Sequence, residues 1–211
     1  MVYASEVGKK KLTLQVSGKL WNRSLIMRDL ETGSLWSHIL GECMQGELKG
    51  KKLELIPSVM TTWKQWLADN PDTTVLDMRP TADRFAKEFY KNPMQFVYGV
   101  KVMGRPKAYS FAYLSENTVV QEKIGGKPVV VTFDPASTSA MIFDPGKFRF
   151  KPALDGGKLI EADSGSVFDP VSGIAISGKL KGTQLDQLSG IVSYRKAWSV
   201  FYPESKIADP N

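Results

Sequence analysis

One cysteine and one histidine are all the thiol and imidazole in this 211-residue chain. With Cys43 alone, neither an intramolecular disulfide nor a purely Cys-based zinc site can form within one chain. With His38 alone and no G-x-S-x-G segment, Ser137-Thr138-Ser139 lacks the surroundings of a hydrolase nucleophile. No run of about 18 apolar residues exists, so no helix spans a membrane. The opening "MVYASEVGKKKL" sets apolar residues ahead of charged ones. That is the reverse of a secretory signal, and as written the chain would stay in the cytosol. "GGK" at Gly125–Lys127 is no phosphate loop, because Pro128 and a strand follow it.

What is present is a moderate excess of positive charge, a net +6. The lysines are scattered: Lys9–Lys11, Lys49, Lys51-Lys52, Lys101, Lys107, Lys123, Lys127. Each group lies within two residues of Gly or Pro, where strands end and edges need protection. No recognition helix or RNA-binding sheet motif accompanies them, so nucleic acid is not the expected partner.

The chain also repeats itself. "TGSLWSHILGECMQGELKGKKLE" from Thr32 returns as "SGSVFDPVSGIAISGKLKGTQLD" from Ser164, 132 positions on. Gly33, Gly41, Gly46 and Gly50 fall on Gly165, Gly173, Gly178 and Gly182, and Trp66 falls on Trp198. Matched glycines weigh most, because glycine is needed where the backbone must turn with positive φ. The period is that of a small domain, too long for a solenoid.

Each copy spells two short strands around a glycine loop, then a further strand ending in glycine. A helical period follows, with Thr61 or Thr62 as cap and Asn70-Pro71 as stop. The second copy gives Ser193 as cap, then Tyr194, Ala197, Trp198 and Phe201. Trp66 and Trp198 read as core anchors. The fold class expected is β-rich α+β: two related units of antiparallel hairpins, each closed by a short Trp-bearing helix. Residues 1–78 form the first unit, 79–94 a linking helix with Thr81, Phe85 and Phe89, and 95–211 the second unit. Between them, "FVYGVKVMGRPKAYSF" is a hairpin on Gly-Arg-Pro, and "TVVQEKIGGKPVVVTFD" one on Gly125-Gly126. Val129–Val131 should be buried on both faces. "MVYA" matches "MIFD" at Met141–Asp144, so the first unit reads as N-terminally incomplete. Unpaired strand edges invite another chain, and a homo-oligomer or partner chain completing that unit is expected.

These segments resemble the domain-of-unknown-function family numbered 3179. The resemblance rests on Gly18–Ser37, "GELKGKKLEL" (Gly46–Leu55), "TTWKQW" with "NPDT" (Thr61–Thr73), Tyr98–Tyr109 and "IGGKPVVVTFDP" (Ile124–Pro135). It implies a bacterial or archaeal protein, often exported and built from two such units, and no particular activity. It also implies a periplasmic or extracellular setting if the N-terminus is truncated. Family units often carry Cys-Pro-x-Cys where this chain has "DPAS" (Asp134–Ser137), so thiol-redox or soft-metal chemistry resting on that motif is gone.

Two acid pairs stand at equivalent places: Asp29 with Glu31, and Glu161 with Asp163. Acids two apart share a strand face, where they can bind a divalent cation or do acid–base work. They can equally serve the turn beside them. His38, near Cys43 and Met44, is a candidate for copper; copy two has Pro170, Ala175 and Ile176 there. Asn22-Arg23-Ser24 is a further anion contact to weigh against an ordinary surface turn. With no catalytic constellation, the expected function is a non-catalytic binding or assembly module of the cell envelope, with no cofactor. The alternative is a metal-handling or hydrolytic enzyme with its site between the two units.

Overall fold

The computed structural model describes residues 1–75, 92–151, 153–154 and 158–210. The chain is a β-rich α+β protein that divides into two compact units. One unit holds Met1–Ser58 together with Lys196–Glu204; the other holds Val59–Arg195 together with Ser205–Asn211.

The first unit contains β1 (Val2–Tyr3), β2 (Glu6–Val7), β3 (Lys10–Lys11), β4 (Leu14–Trp21), β5 (Ser24–Asp29), β6 (Leu35–Ser37), β7 (Cys43–Gln45) and β8 (Leu55–Ile56). Strands β4 to β7 form an antiparallel meander in chain order; β1 pairs with β8, and β2 with β3. Asn22 and Arg23, at φ 49° and 63°, make the two-residue turn between β4 and β5. Left-handed residues in such a turn match the twist of the strands it joins. Met27, Trp36 and Cys43 lie side by side across the meander. All three point into a core with Leu12, Leu48 and Leu53. Strand alternation therefore sends the next row, Arg28, Leu35 and Gln45, to the opposite face.

The second unit begins with α1 (Trp63–Asp69), followed by β9 (Phe96–Val102), β10 (Arg105–Ser110), α2 (Phe111–Glu116), β11 (Asn117–Ile124), β12 (Lys127–Asp134), β13 (Ser139–Asp144), β14 (Ala153–Leu154), β15 (Leu159–Ile160), β16 (Val167–Phe168), β17 (Ala175–Ser177), β18 (Asp186–Gln187) and β19 (Gly190–Tyr194). The chain then passes through α3 (Arg195–Phe201), which from Lys196 on belongs to the first unit, and returns to the second with β20 (Lys206–Ala208). A five-stranded sheet, β14-β11-β12-β13-β18, is covered on both faces. Val129, Val131 and Ile142 pack with Tyr98, Val100 and Tyr109 of β9 and β10. Val130, Met141 and Phe143 pack with Leu159, Phe168 and Ala175 of β15 to β17. The Val129–Val131 run is thus fully buried, as a strand covered on two sides should be.

The repeat is a repeat of structure. Helices α1 and α3 stand 132 residues apart, as do β7 and β17. Tyr3 pairs with Leu55 as Phe143 pairs with Gln187, so β1 is the counterpart of the end of β13. A Cβ placed on Gly41 would lie 2.7 Å from the Tyr3 ring, and one on Gly173 2.6 Å from the Phe143 ring. Both copies therefore need a bare backbone beneath that ring.

Some expectations are corrected. Trp198 is buried at 1% exposure, but Trp66 is 39% exposed, and α1 buries none of its residues. Helical spacing marks a shared face without saying what covers it. Ser193 lies in β19 and is not a helix cap; Thr62 does cap α1, accepting the Gln65 N–H at 3.2 Å. The β9–β10 turn sits on Met103-Gly104, both at positive φ, leaving Arg105 and Pro106 in β10. One pairing, β10 with β20, is parallel. Helix α2 was not anticipated: Ser110 caps it, and Phe111 and Leu114 anchor it in the core. Of the linking helix expected at 79–94, residues 79–91 lie outside the described residues.

Candidate functional site

The acid pairs sit where a strand enters a glycine turn, and the turn separates their members. Asp29 is the last residue of β5 and is fully buried, whereas Glu31, already in the turn, is exposed. Glu161 is likewise buried and Asp163 exposed. Strand alternation ends at the turn, so neither pair shares a face.

The buried carboxylates hold their own turns. Asp29 Oδ1 accepts the Thr32 N–H at 2.6 Å and the Thr32 hydroxyl at 2.7 Å; Oδ2 accepts the Trp36 indole N–H at 2.8 Å. Burial works against the Asp29 charge, but the Trp36, Thr32 and Gly33 donors outweigh it, and the carboxyl stays below its usual range. Glu161 is held low first by the Ser164 hydroxyl, against burial, with help from backbone N–H groups of Ser164 and Asp163. Its Oε2 takes the Ser164 N–H and hydroxyl, both at 2.7 Å; its Oε1 takes the Asp163 N–H at 3.1 Å. The longer Glu side chain reaches a backbone donor where the shorter Asp uses an indole, and Phe168 stands in place of Trp36. Below each turn a glycine passes close to a serine: a Cβ on Gly46 would lie 2.6 Å from Ser34 Oγ, one on Gly178 2.5 Å from Ser166 Oγ. Both serines also accept a backbone N–H, from Leu48 and Leu180.

The outer acids are engaged as well. Glu31 accepts the Thr13 N–H at 2.8 Å, which lowers its carboxyl pKa; Asp163 pairs with Arg149 at 2.6 Å. The His38 carbonyl accepts the Tyr3 hydroxyl at 2.6 Å, and burial pushes the imidazole below its ordinary range. Cys43 is buried, and burial raises its thiol. Ser137 donates to Asp134 and lies 2.8 Å from the Ser139 hydroxyl, at the "DPAS" turn. Among the described residues, no group of three or more His, Cys, Asp or Glu side chains is placed to hold a metal ion.

A different feature was not read from the sequence: an open cleft of about 300 Å³ on the outer face of the first unit's meander. Arg28, Leu35 and Gln45 form its floor, with Gly33 and Gly46 at its edge. Ser17 and Lys19 reach it through a bulge. From Val16 to Leu20 on β4, the partner strand advances only from Met27 to Leu25. Gly18 takes φ 76° there, and the Ser17 hydroxyl donates to the Ile26 carbonyl. Bulges of this kind re-aim side chains beside binding sites. Arg28 and Lys19 make no ion pair or side-chain hydrogen bond with any described residue. The usual sequence cues do not reveal this cleft, since an arginine on the polar face of a strand looks like ordinary surface.

No curated protein and no solved structure matches this chain. The sequence model of one family, described as protein of unknown function DUF3179, matches residues 1–97 and again 86–211. The two matches cover both halves of the repeat whose turns, glycines and buried acids make corresponding contacts. The chain therefore belongs to the DUF3179 family and carries its unit twice.

Proposed function

We propose that this chain is a non-catalytic binding module. The observation that carries the reading is the furnishing of the first unit's cleft: two cations, an amide, a leucine and the Ser17 hydroxyl, which is engaged on the Ile26 carbonyl, with no carboxylate, thiol or imidazole among the described residues that line it. Such a surface can hold and orient a ligand but has no pair of groups set for proton transfer. The buried acids agree with this, because both oxygens of Asp29 and of Glu161 already accept hydrogen bonds, from their own turns and, for Asp29 Oδ2, from the Trp36 indole of β6. A thermal-shift screen against sugars, amino acids, dicarboxylates and phosphates tests it, run beside turnover of a chromogenic ester and phosphoester. The expected result is a saturable rise in Tm with one class and no turnover. Turnover lost on Asp29→Asn, or a flat melting profile across the screen, would overturn it.

Assembly is the second part of the reading. Among the described residues β1 and β8 form a two-stranded sheet, whereas their counterparts β13 and β18 belong to a five-stranded one. β1 is an edge strand of that sheet among the described residues, and an edge strand can accept a further strand from another chain. Sedimentation velocity should show self-association that rises with concentration; a monomer at every concentration would count against it. The family resemblance adds a cell-envelope setting, which fractionation of the source cells would check.

A further inference from the structure

We propose that the first unit's cleft binds a small molecule through an oxyanion, a carboxylate or a phosphate, with Arg28 and Lys19 as its charge partners. This deepens the binding-module reading and rests on it. Both cations line the cleft without a partner among the described residues. The nearest acids in sequence are turned elsewhere, Asp29 into the core on Trp36 and Thr32, and Glu31 onto the Thr13 amide. The cleft thus concentrates positive charge against a low-dielectric sheet, which attracts anions. A guanidinium offers a planar fork to a carboxylate or phosphate, a lysine adds a point charge, and the Gln45 amide supplies a neutral donor beside them.

The second copy acts as an internal control. Ile160 occupies the place of Arg28 on the equivalent strand, and Ser177 that of Gln45. The same turn, with its buried acid and close glycine, forms there without either. The fold therefore does not require Arg28, and its position over an open cleft is available for a ligand. The bulge serves the same end: Gly18 at φ 76° and the Ser17–Ile26 bond carry Lys19 to the cleft instead of continuing the regular ladder.

The test is calorimetric titration of the whole chain with inorganic pyrophosphate in one arm and citrate in the other. Wild type is compared with Arg28→Ile and Lys19→Gln. Arg28→Ile copies the second unit's own residue, so it should fold, as circular dichroism will verify. Saturable binding is expected in at least one arm, weakened by salt and reduced about tenfold or more by Arg28→Ile. Binding of pyrophosphate alone assigns a phosphate ligand, and binding of citrate alone a carboxylate. Equal affinity in wild type and Arg28→Ile would overturn the proposal. If neither anion binds while a neutral compound from the thermal screen does, the anion assignment fails and the binding-module reading stands. If nothing binds at all, both fail.

Discussion

Asp29 and Trp36 depend on each other, and copy two shows how. Asp29 Oδ2 has the indole N–H as its donor, whereas Glu161 meets the Asp163 N–H and tolerates Phe168 alongside. Trp36→Phe should leave a buried carboxylate oxygen without its donor and cost about 2 kcal/mol. Asp29→Glu added to it should recover most of that loss, because it recreates the second copy's combination; urea denaturation of the single and double variants measures the coupling. Acid titration follows from the same contacts. Asp29 and Glu161 are both held below their ordinary values. The stability they contribute is complete above about pH 5, clear of the ordinary carboxylate range, and is lost as pH falls through their lowered folded values. Asp29→Asn should therefore flatten the acid side of the stability profile, read from urea midpoints between about pH 3 and 7.

Between the elements, the two tryptophan helices have parted company. Trp198 is enclosed, its ring tilted 34° against that of Tyr202 with centroids 4.2 Å apart, while Trp66 lies at the surface with its indole N–H on Thr73 Oγ1 at 3.0 Å. Trp198→Ala should cost about 3–5 kcal/mol, and Trp66→Ala less than about 1 kcal/mol, by chemical denaturation. The sequence match between the helices was plain; the difference in burial was not, since it depends on residues distant in the chain. Local chemistry was the legible part. The Gly125-Gly126 hairpin, the buried Val129–Val131 run and the Asn70 stop each follow from a few neighbouring residues. Helix α2 is not legible in the sequence, because six residues carry too little periodicity to separate a turn of helix from a strand. The acids stand out in the sequence as a pair, but only the end of β5 at Asp29 decides that one turns inward. The cleft escaped because strand alternation gives no sign of the bulge at Ser17-Gly18-Lys19.

At the scale of the molecule, contiguity in space and contiguity in sequence differ. Lys196–Glu204, encoded with the second copy, belongs to the compact unit built from Met1–Ser58, where Phe201 meets Trp21 edge-on with ring centroids 4.9 Å apart. Ending the chain at Tyr194 should loosen the first unit although every residue of the first copy remains. Hydrogen exchange of the β4 and β5 amides should speed up, and unchanged protection there would refute this. A protein engineer guided by the repeated text would cut this gene at the seam between the copies. The folded chain does not come apart there, and a first half expressed by itself would be short of nine residues that its partner copy supplies.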